Sequence, residues 1–171
     1  MAHIQALTQT TMHVLLVITA IMFPVGCGCE NGPTETIAIT DAPFVLEVVT
    51  TRAAIERGLG GRSEVARNGG MLFVFPDVAP RRFWMKDCLV DIDIMYLDGL
   101  GRITAIHTMS AEPLRGDNET KTAYEQRLRR YPSVLGAQFA IELKAGRIDE
   151  LGLAQGDKID IPADCLKARL P

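Results

Sequence analysis

From Ile37 onward the chain alternates. Ile37 and Ile39 flank Ala38, and after Asp41-Ala42-Pro43 the residues Phe44, Leu46 and Val48 alternate with Val45, Glu47 and Val49. A period of two over a β-branched stretch predicts a half-buried strand region. Thr51 can cap a short helix from Arg52 to Gly58, with Ile55 and Leu59 one turn apart and Gly60-Gly61 as its stop. Gly69-Gly70 leads into the unbroken apolar run Met71 to Phe75, which predicts a buried strand. Pro76 and Pro80 bracket a loop, and Phe83-Trp84-Met85 begins the next strand. Val90 to Leu97 and Arg102 to Met109 form a predicted hairpin around the turn residues Asp98-Gly99-Leu100-Gly101.

Beyond the hairpin the pattern weakens. Ser110 to Thr120 is a polar loop, and Lys121 to Arg130 is a short helix without a clear apolar stripe, broken by Tyr131-Pro132-Ser133. Gln138 to Leu143 predicts a strand, Ala145 to Leu151 a short helix stopped by Gly152, and Lys158 to Ile161 a final strand. The resulting fold class is mainly β: a compact antiparallel barrel or sandwich with two or three short helices. Closure of the sheet would remove exposed strand edges.

Ahead of this body the pattern is different. Met1 to Cys29 contains no Lys, Arg, Asp or Glu, and all 18 basic and 21 acidic residues follow it. Its apolar run, Val14 to Val25, is too short for a membrane span of about 20 residues but suits the core of a signal peptide. The stretch resembles the bacterial lipoprotein signal, with Gly26 as the small residue and Cys27 as the lipidated one. Two features depart from that pattern. Pro24 stands where Leu is usual, and His3 and His13 replace the expected Lys or Arg. The alternatives are a conventionally cleaved leader and an uncleaved anchor. The expected organisation is a signal peptide over 1–26, a tether over 27–35, a β-domain over 36–164 and a tail over 165–171. The expected location is the periplasm or outer face of the envelope, with the membrane as partner through Cys27.

Export places the domain in an oxidising compartment. Cys88 and Cys165 are the only cysteines of the body, so they form either a disulfide or two free thiols, with Cys88 packed as a small hydrophobe. The net charge of −3 argues against a nucleic-acid partner. Arg127, Arg129 and Arg130 could meet Arg81 and Arg82 in space, or form a solvated helix face.

An ordered set of blocks carries a family resemblance. These are Phe44 to Val48, Arg57 to Arg62, Gly70 to Phe75, Phe83-Trp84-Met85-Lys86, Asp93-Ile94, Leu97-Asp98, Gly101-Arg102, Ile141-Glu142-Leu143, Ala145-Gly146 and Gly156-Asp157. Together, over about Ile37 to Ile161, they resemble domain-of-unknown-function family 192. The resemblance implies a compact β-barrel-like fold, often on exported proteins. It carries no established activity, so no catalytic residue is inherited. Four positions depart from the family pattern: Gly60 for Met, Asp87 for Asn, Cys88 for Thr and Asp91 for Pro.

Three groups of residues have chemistry to weigh. Trp84, Met85, Lys86 and Asp87 form a candidate recognition strip for a small molecule, a glycan or an envelope protein. The competing account makes Trp84 a core residue with Lys86 reaching to water. Asp91, Asp93 and His107 could hold a metal or serve a hydrolase, provided the hairpin register brings them together. Cys88 with His107 could be a thiol nucleophile and its base. Arg62 and Glu142 are candidates for an ion pair between elements, with ligand binding as a second role. Nothing resembles a phosphate loop or a zinc pattern, and no cofactor or metal is expected. The sequence therefore favours a non-catalytic binding or accessory module, with a hydrolase and a structural envelope lipoprotein as alternatives.

Overall fold

The computed structural model describes residues 32–171. The signal segment over 1–26 and the lipidation candidate Cys27 lie outside the described residues.

The first strand pair is a hairpin of β1 (Thr34–Ile39) and β2 (Ala42–Val49), turned at Thr40, whose φ is +54°. The strand therefore begins inside the stretch expected to be a tether. Helix α1 (Arg52–Arg57) follows, capped as its sequence dictates: the Thr51 hydroxyl accepts from the Ala54 N–H at 3.4 Å. The remaining strands are β3 (Gly69–Phe83), β4 (Ile92–Leu97), β5 (Ile103–Met109) and β6 (Tyr131–Lys144). Helix α2 (Lys121–Arg127) precedes β6, and α3 (Arg147–Glu150) and α4 (Ala163–Lys167) come after it.

All six strands join one sheet in the order β1-β2-β3-β6-β4-β5. The molecule is mainly β, as its alternation requires, but two refinements apply. The sheet is not closed, because β1 and β5 stand at opposite ends. Nor is it wholly antiparallel, because β2 and β3 run parallel, joined by a crossover that contains α1. The free edge of β5 is covered at its start by the chain near the C-terminus. Ile103 donates to Asp157 O, Gly156 to Ile103 O and Ile159 to Gly101 O. The expected last strand, Lys158 to Ile161, survives only as the bridge Arg102–Lys158.

The two longest strands overrule the breakers in their sequences. Strand β3 continues through Pro76 and Pro80 by bulging, with register shifts between Val74 and Ala79 and between Pro80 and Arg82. Prolines are tolerated in a sheet at such irregularities. The Gln138 side chain crosses the bulge to donate to Phe75 O. Strand β6 likewise starts at Tyr131, through the expected break.

Both faces of the sheet are buried. Leu72, Val74, Met95, Leu97, Phe139 and Ile141 belong to one apolar cluster, with Phe44 and Leu46 of β2. Met71, Phe73, Phe75, Ile94, Tyr96 and Ala140 belong to the other, with Leu59 and Met85 from the loops. This double burial explains why Met71 to Phe75 reads as an unbroken apolar run, and why β4 is apolar at every position but Asp93.

The segment expected as a tail is packed. It holds a fourth helix, α4, whose Leu166 is fully buried, and Arg169 forms an ion pair with Glu35 and donates to Gly32 O at 3.3 Å.

Candidate functional site

Strand β3 ends at Phe83, so Trp84 to Asp91 form a loop rather than the expected strand. Several contacts fix its shape. Met85 is fully buried and anchors the loop in the core. Asp87 turns the chain with φ +57°, a left-handed conformation that Asn and Asp tolerate better than most residues. That requirement explains why Asp can replace the family's usual Asn here. The Tyr124 hydroxyl of α2 accepts from the Asp87 N–H at 2.8 Å and donates to the Asp87 carboxylate at 3.2 Å. Lys86 pairs with Glu125 of α2 at 2.7 Å, a contact that holds the Glu125 carboxyl below its ordinary range. On the other side the Gly61 N–H donates to Asp87 O at 2.7 Å. The loop is thus clamped between α2 and the turn that follows α1.

Trp84 is half-buried on this loop. The Arg130 guanidinium lies 3.9 Å from its ring centroid and the Lys86 ammonium 5.4 Å from it, both in cation–π range.

Beside Trp84 opens a pocket of about 190 Å³. Its apolar wall is made by Ile55, Leu59, Phe83 and Trp84, and the exposed Arg57 and Arg82 line it together with the half-buried Lys86. Cys88 and Glu142 also line it. Glu142 is a carboxyl on the strand shared by both halves of the sheet, opposite Met71 on β3 and Ile94 on β4. Only 4% of it is exposed, and its Oε2 has no hydrogen-bond partner. Burial pushes its pKa up to about 8, against the opposing pull of a hydrogen bond from the Leu59 backbone and the charge of Arg62. The group therefore faces the pocket as a neutral acid at pH 7.

Two glycines make room for this arrangement. A Cβ on Gly58 would sit 3.2 Å from Glu142 Oε2, at φ +51°. A Cβ on Gly70 would meet the Glu142 backbone oxygen at 2.1 Å, so β3 and β6 can approach here only with glycine.

The other predicted residues have other employment. Trp84 and Lys86 line the pocket, but Met85 is core and Asp87 borders a neighbouring hollow of about 370 Å³ with Gly60 and Gly61. Arg62 does not pair with Glu142. It holds Glu47 through two hydrogen bonds of 2.5 and 2.7 Å. Asp93 accepts from the Thr108 hydroxyl at 2.8 Å and from the Ile148 N–H at 3.0 Å, which ties β4 to β5 and to the first turn of α3.

The Asp91, Asp93 and His107 set is not assembled. With a bulge between Tyr96 and Leu97, the hairpin register sets His107 opposite Ile94 and Asp93 opposite Thr108. His107 Nε2 contacts Pro132 O at 2.8 Å, and Asp91 accepts from the Ala111 N–H at 2.8 Å. Among the described residues no group of three or more His, Cys, Asp or Glu side chains could hold a metal ion.

Cys88 is a free, buried thiol, and Cys165 is disulfide-bonded, so the two are not joined to each other as one sequence alternative supposed. Burial pushes the Cys88 pKa up to about 12, and its Sγ donates to Lys86 O at 3.6 Å. A thiol held protonated in this way is a poor nucleophile. The arginines are also dispersed. Arg127 pairs with Glu119 at 2.7 Å and Arg81 with Asp77 at 2.6 Å, and Arg129 stacks on Tyr131.

The sequence offers Glu142 as an ion-pair candidate with Arg62, with ligand binding as a second role. The available signal was position: a carboxyl inside the run Phe139 to Leu143, on the same strand face as Ala140. Arg57 and Arg82 carried no local signal.

Three comparisons set this geometry among known proteins. The sequence profile of DUF192, described as an uncharacterized ACR, matches residues 35–161. No curated protein matches the chain. A candidate transcription regulator from Sinorhizobium meliloti 1021 is similar in structure, with a TM-score of 0.59 and 24% identity over 73% of this chain and 89% of that one. A protein of unknown function from Novosphingobium aromaticivorans DSM 12444 is similar with a TM-score of 0.57 and 25% identity, over 74% of this chain and 82% of that one.

Proposed function

We propose that this chain, which belongs to the DUF192 family, is a non-catalytic envelope module that binds a small molecule in the pocket beside Trp84. The observation that carries this reading is Glu142. A buried carboxyl with one oxygen unpaired costs stability, and folded proteins rarely leave such a group without a partner. A ligand that supplies the missing hydrogen bond gives the arrangement its purpose. The apolar wall with a few convergent polar groups is the usual make-up of a small-molecule site.

A binding role is favoured over catalysis by the fate of the reactive side chains. Cys88 is kept protonated, and Asp91, Asp93 and His107 serve separate structural contacts. A nucleic-acid partner is disfavoured by the net charge of −3 and by the engagement of Arg81 and Arg127 in ion pairs. The envelope address is supported by the uncharged leader with Gly26-Cys27 and by the disulfide at Cys165, a bond that persists in oxidising compartments. In this reading Cys27 carries the lipid.

The chain contains one tryptophan, so Trp84 reports on the pocket without interference. A fragment panel of acids, amines, sugars and neutral rings, followed by intrinsic fluorescence and thermal shift, tests the reading. Binding that changes Trp84 emission and disappears in Trp84→Ala is expected. A panel without a single hit at this pocket would sink it.

A further inference from the structure

The charges around the pocket do not balance, and the imbalance selects a class of ligand. Of the charged groups that line it, Glu56 is engaged by Arg52 at 2.8 Å and Lys86 by Glu125 at 2.7 Å. Arg57 and Arg82 form no side-chain ion pair or hydrogen bond among the described residues. The exposed rim therefore presents two guanidinium groups without an ion pair or hydrogen bond, Arg57 acting only through its charge on Glu47, and a guanidinium is the side chain best suited to grip a carboxylate. Phe83 and Trp84, with Ile55 and Leu59, line the same pocket as the buried Glu142.

Size narrows the choice further. The free volume of about 190 Å³ is a little more than a cavity of roughly 150 Å³ that accommodates benzene. One ring, or a chain of similar bulk, fills it. Flat aromatic walls favour the ring.

Resting on the binding reading above, we infer that the ligand is a single-ring organic acid. Its carboxylate is held at the mouth by Arg57 and Arg82, its ring lies along Phe83 and Trp84, and a hydroxyl or carbonyl at its far end meets the unpaired Oε2 of Glu142. Each zone of the pocket then has a counterpart. The guanidinium groups gain an anion, the aromatic wall gains a ring face, and the orphaned oxygen gains a hydrogen bond. A positively charged or purely apolar ligand leaves at least one of these unmet. Gly58 keeps the inner end open, since any side chain there would crowd Oε2.

Four probes test the assignment by isothermal titration: 4-hydroxybenzoate, benzoate, phenol and benzylamine. The full-length protein is expected to bind 4-hydroxybenzoate about tenfold tighter than benzoate or phenol, about what one added hydrogen bond or ion pair supplies. Benzylamine should bind worst. The double variant Arg57→Ala, Arg82→Ala should lose about tenfold for 4-hydroxybenzoate and nothing for phenol. Glu142→Leu should erase the preference for the hydroxylated acid over benzoate. Glu142→Gln keeps a hydrogen-bonding group there and guards against misreading a folding defect. Benzylamine binding as well as the acids, or arginine variants that bind the acids unchanged, would overturn the ligand class while leaving a small-molecule pocket standing. Failure of all four probes together with failure of the wider fragment panel would remove both.

Discussion

Glu142 shows how one residue couples stability to pH. In the unfolded chain the carboxyl loses its proton near the ordinary value of 4.5, whereas the folded protein keeps it to about 8. The folded state thus holds the extra proton between these values, and its stabilising effect is complete below 4.5 and lost as pH rises through 8. The slope reaches at most about 1.4 kcal/mol per pH unit. Arg62 works against the shift, and the neighbouring Cys88 and Tyr96 are themselves raised by burial and by the charge Glu142 would carry. Urea unfolding of Glu142→Gln and the parent from pH 5 to pH 9 is expected to show the variant gaining relative stability by a few kcal/mol as pH rises. Parallel curves would mean that the carboxyl ionises normally in the folded protein.

At the level of elements, the site depends on a helix that does not line the pocket. Helix α2 holds the Trp84 loop through Tyr124 and Glu125. Tyr124 is buried, so removing its hydroxyl leaves the Asp87 N–H without that acceptor. Tyr124→Phe is expected to cost about 1–2 kcal/mol of stability. It should also loosen the loop, read as faster amide exchange at Asp87 and weaker ligand-induced change in Trp84 emission. Glu125→Gln offers a milder variant, because its ion pair with Lys86 is partly exposed and contributes little on its own. If Tyr124→Phe leaves the exchange rate at Asp87 unchanged, α2 packs beside the loop without ordering it.

For the whole molecule, the C-terminal segment matters more than its sequence suggests. Leu166 enters the same apolar cluster as β1 and β2, and Arg169 fastens β1 through Glu35. Deleting residues 163–171 removes a fully buried leucine, a loss of the class that costs about 2–5 kcal/mol. A thermal midpoint lower by several degrees, with the Trp84 spectrum retained, is expected for that truncation. Reducing the disulfide at Cys165 should lower the midpoint too, by less. The proposed membrane address has its own measurement. Mass spectrometry of the mature protein should find a terminus at Cys27 bearing acyl chains, and an unprocessed Met1 in a soluble fraction would refute it.

The chain's own residue order determined the β character, the Thr51 cap and the turn at Asp98 to Gly101. Each follows from neighbours within a few residues, where alternation, capping and turn chemistry act. Only the tertiary structure decided the rest. The insertion of β6 between β3 and β4, the parallel pairing of β2 with β3, and the passage of β3 through two prolines all depend on partners far along the chain. The same holds for Arg62, which takes Glu47 and leaves Glu142 Oε2 without a hydrogen-bond partner on its buried strand. Local pattern sets which face of a strand a residue occupies, but burial and the choice of ionic partner belong to the packed sheet, because only there is water excluded.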